Sequence, residues 1–314
     1  MCWPRRAFLK TDKLTTDTRL GFIGLGYLGS RIAYRLAAAG FPMVVFDREI
    51  GKAADLSVLG CDVAENLEDL ALEADVLLSC LPNGSAVKDV YLGKGNVLRN
   101  LRPGTIVVEL STIAPETTRQ ISTAARRYDV AALDVAISGS TTAAEAGKLT
   151  LFGGGERQTF DAAEPIFKAI ASQWFHMGPS GAGVSMKLVV NTLLGLGMQA
   201  VAEAVALGVS LELPREFLLD TLAKTAVVAP AHVGKLATAK RGDYSPQFPI
   251  RLMRKDFDLI IAAADRLHLS MPATKAAAAA NYAEDANGME EDFSAVIRKM
   301  EEQALAERVM ASAS

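Results

Sequence analysis

Residues Leu20-Gly21-Phe22-Ile23-Gly24-Leu25-Gly26-Tyr27-Leu28-Gly29 decide the fold. A short apolar run leads into three glycines spaced G-x-G-x-x-G, with Leu25, Tyr27 and Leu28 between them. A helical pattern over residues 30–39 follows and stops at Gly40. Gly24 permits a tight turn, Gly26 lets a ligand come close to the backbone, and Gly29 allows the helix to pack against the strand. The helix start then offers free N–H groups and the positive end of its dipole to an anion. The next apolar run, Met43-Val44-Val45-Phe46, ends in Asp47. That carboxylate is placed to accept hydrogen bonds from the ribose hydroxyls of a bound dinucleotide. The bland alternative is a Gly-rich turn with no ligand, but the strand before the turn and the helix after it argue for the dinucleotide.

Outward from this turn, residues 20–135 alternate short β-branched runs with helical patterns. Further strands are predicted over residues 75–81 and 105–110, and a helix over 115–127 with Pro115 at its start. Apolar strands bracketed by helices predict a doubly wound α/β sheet, parallel and covered on both faces. The pattern changes near residue 180. From there five helical segments are expected and no strand, with breaks at Pro214, Pro230, Gly242 with Pro246 and Pro249, Pro272 and Asn287-Gly288. The first segment is apolar nearly all round, so it belongs between the domains or in a subunit interface. The domains are therefore predicted as 19–180, dinucleotide-binding, and 181–314, all-helical and devoted to substrate and dimerisation.

Composition narrows the function. The 314 residues carry a net charge of −3 and 22% charged residues, which leaves no basic stripe for nucleic acid or an anionic membrane. Three cysteines and three histidines, scattered along the chain, predict neither a disulfide framework nor a metal site. The longest apolar stretch, 188–209, contains Asn191, Gln199 and Glu203, which favours a buried helix over a membrane span. Pro4-Arg5-Arg6-Ala7-Phe8-Leu9-Lys10 imitates a twin-arginine signal, but polar Thr11-Asp12-Lys13 follows where an apolar region is required. Residues 1–18 are expected to be a polar, disordered extension of a cytoplasmic protein.

Two further segments carry candidate chemistry. In Gly181-Ala182-Gly183-Val184-Ser185-Met186-Lys187-Leu188-Val189-Val190-Asn191, Lys187 and Asn191 project from one helical face. A lysine in an apolar helix is costly without a partner or a task, and burial lowers its hold on its proton as an acid/base requires. The competing reading is a structural or surface lysine. The other segment, Asp134-Val135-Ala136-Ile137-Ser138-Gly139-Ser140-Thr141, ends a strand where open α/β sheets bind ligands. Successive N–H groups around Ser138, Gly139 and Ser140 suit a carboxylate, although an ordinary Ser/Gly turn has the same composition.

Together these segments resemble the β-hydroxyacid dehydrogenases, which include 3-hydroxyisobutyrate dehydrogenase and tartronate semialdehyde reductase. Glyoxylate/succinic semialdehyde reductases belong to the same group. The resemblance runs from about residue 19 to residue 300. It also includes Leu81-Pro82-Asn83, Leu110-Ser111-Thr112-Ile113-Ala114-Pro115-Glu116, the block Ala144-Glu145-Ala146-Gly147-Lys148-Leu149-Thr150, and Phe248-Pro249-Ile250-Arg251-Leu252-Met253-Arg254-Lys255-Asp256.

The resemblance implies an N-terminal Rossmann domain, a long interdomain helix, an all-α C-terminal domain and assembly as a homodimer or homotetramer. It places the catalytic acid/base on Lys187, the substrate-orienting amide on Asn191, and the substrate carboxylate on Ser138, Gly139 and Ser140. Leu81, Pro82, Asn83 and Thr112 would lie by the nicotinamide end of the cofactor, with Lys255 closing from the helical domain. Asp47 favours NAD, while Arg48 beside it could meet the 2′-phosphate of NADP. The implied reaction interconverts a small 3-hydroxy acid and its semialdehyde. Imine reductases and non-catalytic scaffolds share the architecture, but the resemblance implies a different residue at the lysine position in both. In the family the carboxylate loop usually ends Ser-Gly-Gly, so Ser140 is expected to add a hydroxyl there and remove freedom for positive φ.

Overall fold

The computed structural model describes residues 13–93, 95–281 and 286–313. Residues 1–12, with the twin-arginine imitation and Cys2, lie outside them. The described chain falls into two compact units that divide in the sequence between Lys187 and Leu188.

The first unit follows the alternation of its sequence. It runs β1 (Leu20–Ile23), α1 (Gly29–Ala38), β2 (Met43–Phe46), α2 (Ala54–Val58), β3 (Asp62–Val63), α3 (Leu67–Glu73), β4 (Val76–Ser79) and α4 (Gly84–Tyr91). Then come β5 (Ile106–Glu109), α5 (Pro115–Arg126), β6 (Ala131–Ser138), α6 (Thr141–Glu145), β7 (Leu149–Gly154), α7 (Arg157–Ala162), α8 (Glu164–Ile170) and β8 (Ala171–Gly178). The eight strands form one sheet in the order β3-β2-β1-β4-β5-β6-β7-β8. Strands β1 to β6 are mutually parallel.

The parallel sheet expected from residues 20–135 is continued by two strands of opposite direction. β7 returns antiparallel to β6, and β8 runs parallel to β7, so two strands oppose the rest. The reason is local: between β6 and β7 stand only the five residues of α6 and a short turn, too little chain for a parallel crossover.

Alternation along the strands sends side chains to two apolar layers. Leu20, Phe22, Val45, Leu78 and Val108 pack with Ile32, Leu36 and Phe167 on one face. Ile23, Val44, Leu77 and Val107 pack with Leu70, Val87, Tyr91 and Ile121 on the other. Burial on both faces is why the strands carry near-continuous apolar runs.

Residues 13–18 depart from the expected disordered extension. Leu14 is buried in the first core layer, its N–H donates to Ala162 O at 3.1 Å, and Lys13 pairs with Glu164 at 2.7 Å. Leu14 is the apolar residue that the polar composition concealed. The Lys13 and Lys168 ammonium groups hold the Glu164 carboxyl down to about 2.

The second unit is helical. α9 (Ala182–Ser210) leads from one unit into the other, followed by α10 (Arg215–Leu222), α11 (Pro230–Lys240), α12 (Ile250–Arg266), α13 (Pro272–Ala280), α14 (Ala286–Glu290) and α15 (Val296–Ala313). More helices are found than the five segments expected. Pro214, Pro230, Pro249 and Pro272 sit at or just before helix starts, as predicted. Asn287-Gly288 does not break the chain: both fall inside α14, and the interruption follows at Asp292, whose side chain accepts from Ser294 N.

By length and composition α9 could cross a membrane. Met198, Val201, Ala202 and Val205 are instead packed in one core with Leu219, Leu236, Met253 and Phe257.

Candidate active site

The register of the sheet brings the predicted site residues of the first unit to one edge. Phe46, Ile23, Ser79, Glu109 and Asp134 lie on one row across five parallel strands. Gly24, Asp47 and Leu110 each follow that row by one residue, Leu81 and Ser111 by two. Ser138 ends β6 on the same side. This is the carboxyl edge, with the order of strands reversing between β1 and β4, where doubly wound sheets bind ligands.

The Gly24 turn has the properties a dinucleotide requires. Gly24 has φ +94°, and a Cβ there would stand 2.4 Å from Cys80 O. A Cβ at Gly29 would stand 2.1 Å from Gly24 O, so the helix start and the turn touch backbone to backbone. At Gly26 a Cβ would meet nothing within 4 Å. The chain needs no glycine there for its own packing, and the space is open for a ligand. Helix α1 begins with no side-chain cap, and Ser30 N already donates to Gly26 O at 3.0 Å, so an anion falls to the other N–H groups of the first turn. Asp47 accepts from Leu25 N at 2.8 Å and from Glu49 N at 2.9 Å, tying the acidic residue to the turn. Leu25 is buried, Leu28 half-buried, and Tyr27 and Arg48 exposed. These residues fit a dinucleotide.

The loop after β4 is held from below. Leu81 N donates to Ser111 Oγ at 2.7 Å, which fastens it to the loop after β5 that carries the half-buried Thr112. Pro82 is exposed. Asn83 was expected to contact the cofactor, but its Oδ1 already caps α4, accepting from Ala86 N at 2.9 Å.

The loop after β6 corrects one expectation. Positive φ is needed at Gly139 (+143°) and not at Ser140, which is extended at φ −84°. Ser140 therefore introduces no backbone strain. Its Oγ caps α6, accepting from Ala143 N at 3.2 Å, while the hydroxyl keeps its proton for donation. Asp134 accepts from Gly181 N at 2.8 Å and Val184 N at 2.9 Å. It supplies the start of α9 with a carboxylate, favourable to the helix dipole. Burial pushes its carboxyl above the ordinary value, opposed by those backbone donors.

Lys187 is 9% exposed, in the second turn of a largely apolar helix. Asn191 follows one turn later and is fully buried. Its Nδ2 donates to Asp256 Oδ2 at 2.5 Å, and Lys255 Nζ stands 3.0 Å from Asp256 Oδ1. The Asn191 Oδ1 is buried with no hydrogen-bond partner in the chain, so the amide faces one acceptor within the fold and leaves its own acceptor for something else. Asp256 was missed as a participant. Its signal was a carboxylate beside Lys255 within the apolar period of α12. Glu109 and Ser79 were missed as well, although a carboxylate ending Val107-Val108 and a hydroxyl ending Leu77-Leu78 are isolated polar groups in buried strands.

A doubly wound sheet with an uncapped Gly-rich turn and a buried lysine one helical turn from a buried amide defines a class, the nicotinamide-dependent dehydrogenases. Residues 19–178 match the family model described as the NAD binding domain of 6-phosphogluconate dehydrogenase. Residues 181–300 match the one described as NAD-binding of NADP-dependent 3-hydroxyisobutyrate dehydrogenase. The NAD-dependent L-serine dehydrogenase of Pseudomonas aeruginosa is 38% identical over 81% of this chain and 88% of its own. The 3-hydroxyisobutyrate dehydrogenase of Mycobacterium tuberculosis, solved with L-serine, superposes with TM-score 0.82 at 28% identity, covering 90% of this chain and 99% of its own. Psf3, solved with NADP+ and 2-OPP, gives TM-score 0.82 at 27% identity over 90% of this chain and 99% of its own.

The chain belongs to the β-hydroxyacid dehydrogenase family. It is an NAD(P)-dependent oxidoreductase acting on the CH–OH group of hydroxy acids.

Proposed function

We propose that the chain interconverts a small 3-hydroxy acid and its semialdehyde, with Lys187 as the acid/base. The reaction is of the 3-hydroxyisobutyrate dehydrogenase or 2-hydroxy-3-oxopropionate reductase type. The observation that carries this reading is the burial of Lys187 in an apolar helix, one turn before an asparagine whose carbonyl oxygen has no partner. A buried ammonium is expensive, and proton exchange with a substrate hydroxyl gives it a task.

In oxidation Lys187 Nζ takes the hydroxyl proton, and in reduction it returns one to the forming alkoxide. Asn191 orients the reacting oxygen, its amide fixed by Asp256. Backbone N–H groups at Ser138 and Gly139 hold the substrate carboxylate, and Ser140 shapes that loop by capping α6. Gly24, Leu25, Gly26, Tyr27, Leu28, Gly29, Asp47, Arg48, Leu81, Pro82, Asn83, Thr112 and Lys255 are the residues assigned to the cofactor. NAD or NADP, when bound, supplies or accepts the hydride. Asp47 favours NAD, because a carboxylate at the ribose repels a 2′-phosphate.

The protein is read as cytoplasmic and as a homodimer or homotetramer. Val189, Leu193, Leu207 and Leu211 are exposed along or just beyond α9, an apolar set that a second copy would cover.

The test follows NADH and NADPH absorbance with succinic semialdehyde, glyoxylate, tartronate semialdehyde and methylmalonate semialdehyde. 3-Hydroxyisobutyrate, glycerate and threonate are run in reverse. Lys187→Ala is expected to lower kcat by about 10²–10⁴-fold with cofactor affinity nearly unchanged. Loss of cofactor binding together with turnover would make the lysine structural. Turnover of a cyclic imine, with silence on every carbonyl acid, would move the chain to imine reduction. Silence on all of them with cofactor bound would leave a scaffold.

A further inference from the structure

Beneath the carboxyl edge of the sheet lies a buried polar chain that the reaction above does not use. Glu109, at the end of β5, is almost wholly inaccessible. Its Oε1 accepts from Ser111 N at 2.7 Å. Its Oε2 accepts from Ser79 Oγ, which in turn lies 2.6 Å from Tyr91 OH. Ser111 Oγ accepts from Leu81 N at 2.7 Å. One carboxylate therefore joins the loops after β4 and β5 to the first turn of each, with Tyr91 of α4 closing the far end.

We propose that Glu109 is a positioning residue: its carboxylate, through Ser111 and Ser79, clamps the backbone at Leu81 and Ser111 in the form that receives the cofactor, and uptake of a proton loosens the clamp. The proposal rests on the reading that residues 81–83 and Thr112 meet the nicotinamide end.

The direction of the hydrogen bonds carries the argument. As an anion Glu109 only accepts, and Ser111 N and Ser79 Oγ both donate to it. Ser111 Oγ is then free to accept from Leu81 N, and Tyr91 donates to Ser79. A protonated Glu109 must donate. If it donates toward Ser79, that hydroxyl turns to Tyr91, whose fully buried OH must find another acceptor. If the proton sits on Oε1, that oxygen accepts more weakly from Ser111 N, the donor that ties the loop to it. Either way the network is weakened.

Burial, opposed by the bonds from Ser111 and Ser79, raises the Glu109 carboxyl to about 7, so the change falls within the working range of an enzyme. The titratable groups facing it are Tyr91 from α4 and Asp134 from the neighbouring strand. Tyr91 is itself raised by burial, and the Asp134 carboxylate is occupied by Gly181 N and Val184 N. Of the charged residues of α4 and α5, Lys88, Asp89, Arg119 and Arg126 are exposed, and the half-buried Glu116 pairs with Arg119 at 2.9 Å.

Two effects of opposite sign separate the clamp from global stability. A carboxyl raised above its unfolded value contributes stability below about pH 4.5 that is lost as pH rises toward 7. The clamp tightens as pH rises through that same upper limit.

The experiment is hydrogen exchange at the Leu81 and Ser111 amides of the full chain from about pH 5.5 to 8.5, corrected for intrinsic rates, beside titrations with NADH and NADPH. The expected result is protection at Leu81 that rises several-fold with a midpoint near 7, with cofactor Kd falling in parallel. Glu109→Gln, a fixed neutral partner, is expected to abolish both pH dependences and hold the low-pH values, with Glu109→Asp restoring part of each. Ser111→Ala should lower Leu81 protection at every pH. Protection that does not vary with pH in the natural chain, or that varies equally in Glu109→Gln, overturns the proposal without reference to any variant's folding. Protection that titrates while Kd stays flat overturns the cofactor reading of the loop, not the clamp.

Discussion

Two turns on the same edge of the sheet lead from strand to helix, and they end differently. After β1 the turn Gly24–Gly29 delivers a helix of ten residues with no side-chain cap. After β6 the turn Ser138–Ser140 delivers a helix of five residues capped by its own serine. The first leaves orphan N–H groups at the positive end of a dipole; the second has satisfied one of them internally. A turn built to receive an anion withholds its own cap. The later loop can offer a ligand the backbone of Ser138 and Gly139 and the Ser140 O–H, while the Ser140 oxygen serves α6.

The largest break in this comparison is Gly24→Ala. The methyl group would meet Cys80 O at 2.4 Å in a conformation of φ +94°. Left-handed strain and overpacking against backbone together cost about 3 kcal/mol. Thermal unfolding should register the loss even without ligand. If Gly24→Ala melts like the natural chain, the turn is looser than its contacts require, and its glycine serves the ligand alone.

A middle-sized effect separates the second turn. Ser140→Ala removes the cap and should cost about 1 kcal/mol, a fall of a few degrees in Tm. KM for the acid should rise only as far as the loop loosens, so Ser140→Asn, which keeps a capping oxygen, should recover most of both. A large rise in KM with Tm unchanged would instead put the Ser140 hydroxyl directly on the substrate.

What the sequence disclosed follows from whether a residue's cause is local. The Gly24 turn, Asp47, the strands around them and the Pro115 and Pro230 helix starts were legible, because spacing and backbone chemistry within a few residues decide them. The reversal at β7 was not, since the shortness of the link after β6 becomes decisive only once β6 has neighbours. Leu14 was hidden by the polar residues around it, and its partners lie near residue 162. Glu109, Ser79 and Ser111 became one network only through strand register, which no spacing encodes. Lys187 and Asn191 share a helix face by spacing, whereas the acceptor that fixes Asn191 comes from Asp256, far along the chain.

The smallest change in stability tests the comparison most sharply. A Cβ at Gly26 would meet nothing within 4 Å. Gly26→Ala should therefore leave unfolding within about 0.5 kcal/mol of the natural chain, as an ordinary exposed substitution does. In the proposed cofactor site the same methyl group would stand where the pyrophosphate approaches the backbone, so the cofactor Kd should rise by about tenfold or more. Fluorescence titration with NADH and NADPH, beside a thermal melt, reads both quantities on one sample. Gly24 and Gly26 then part company: one glycine is required by the fold, the other by the ligand. An unaltered Kd in Gly26→Ala would mean that the open space beside α1 is not the phosphate cradle, and would remove the distinction drawn between the two turns.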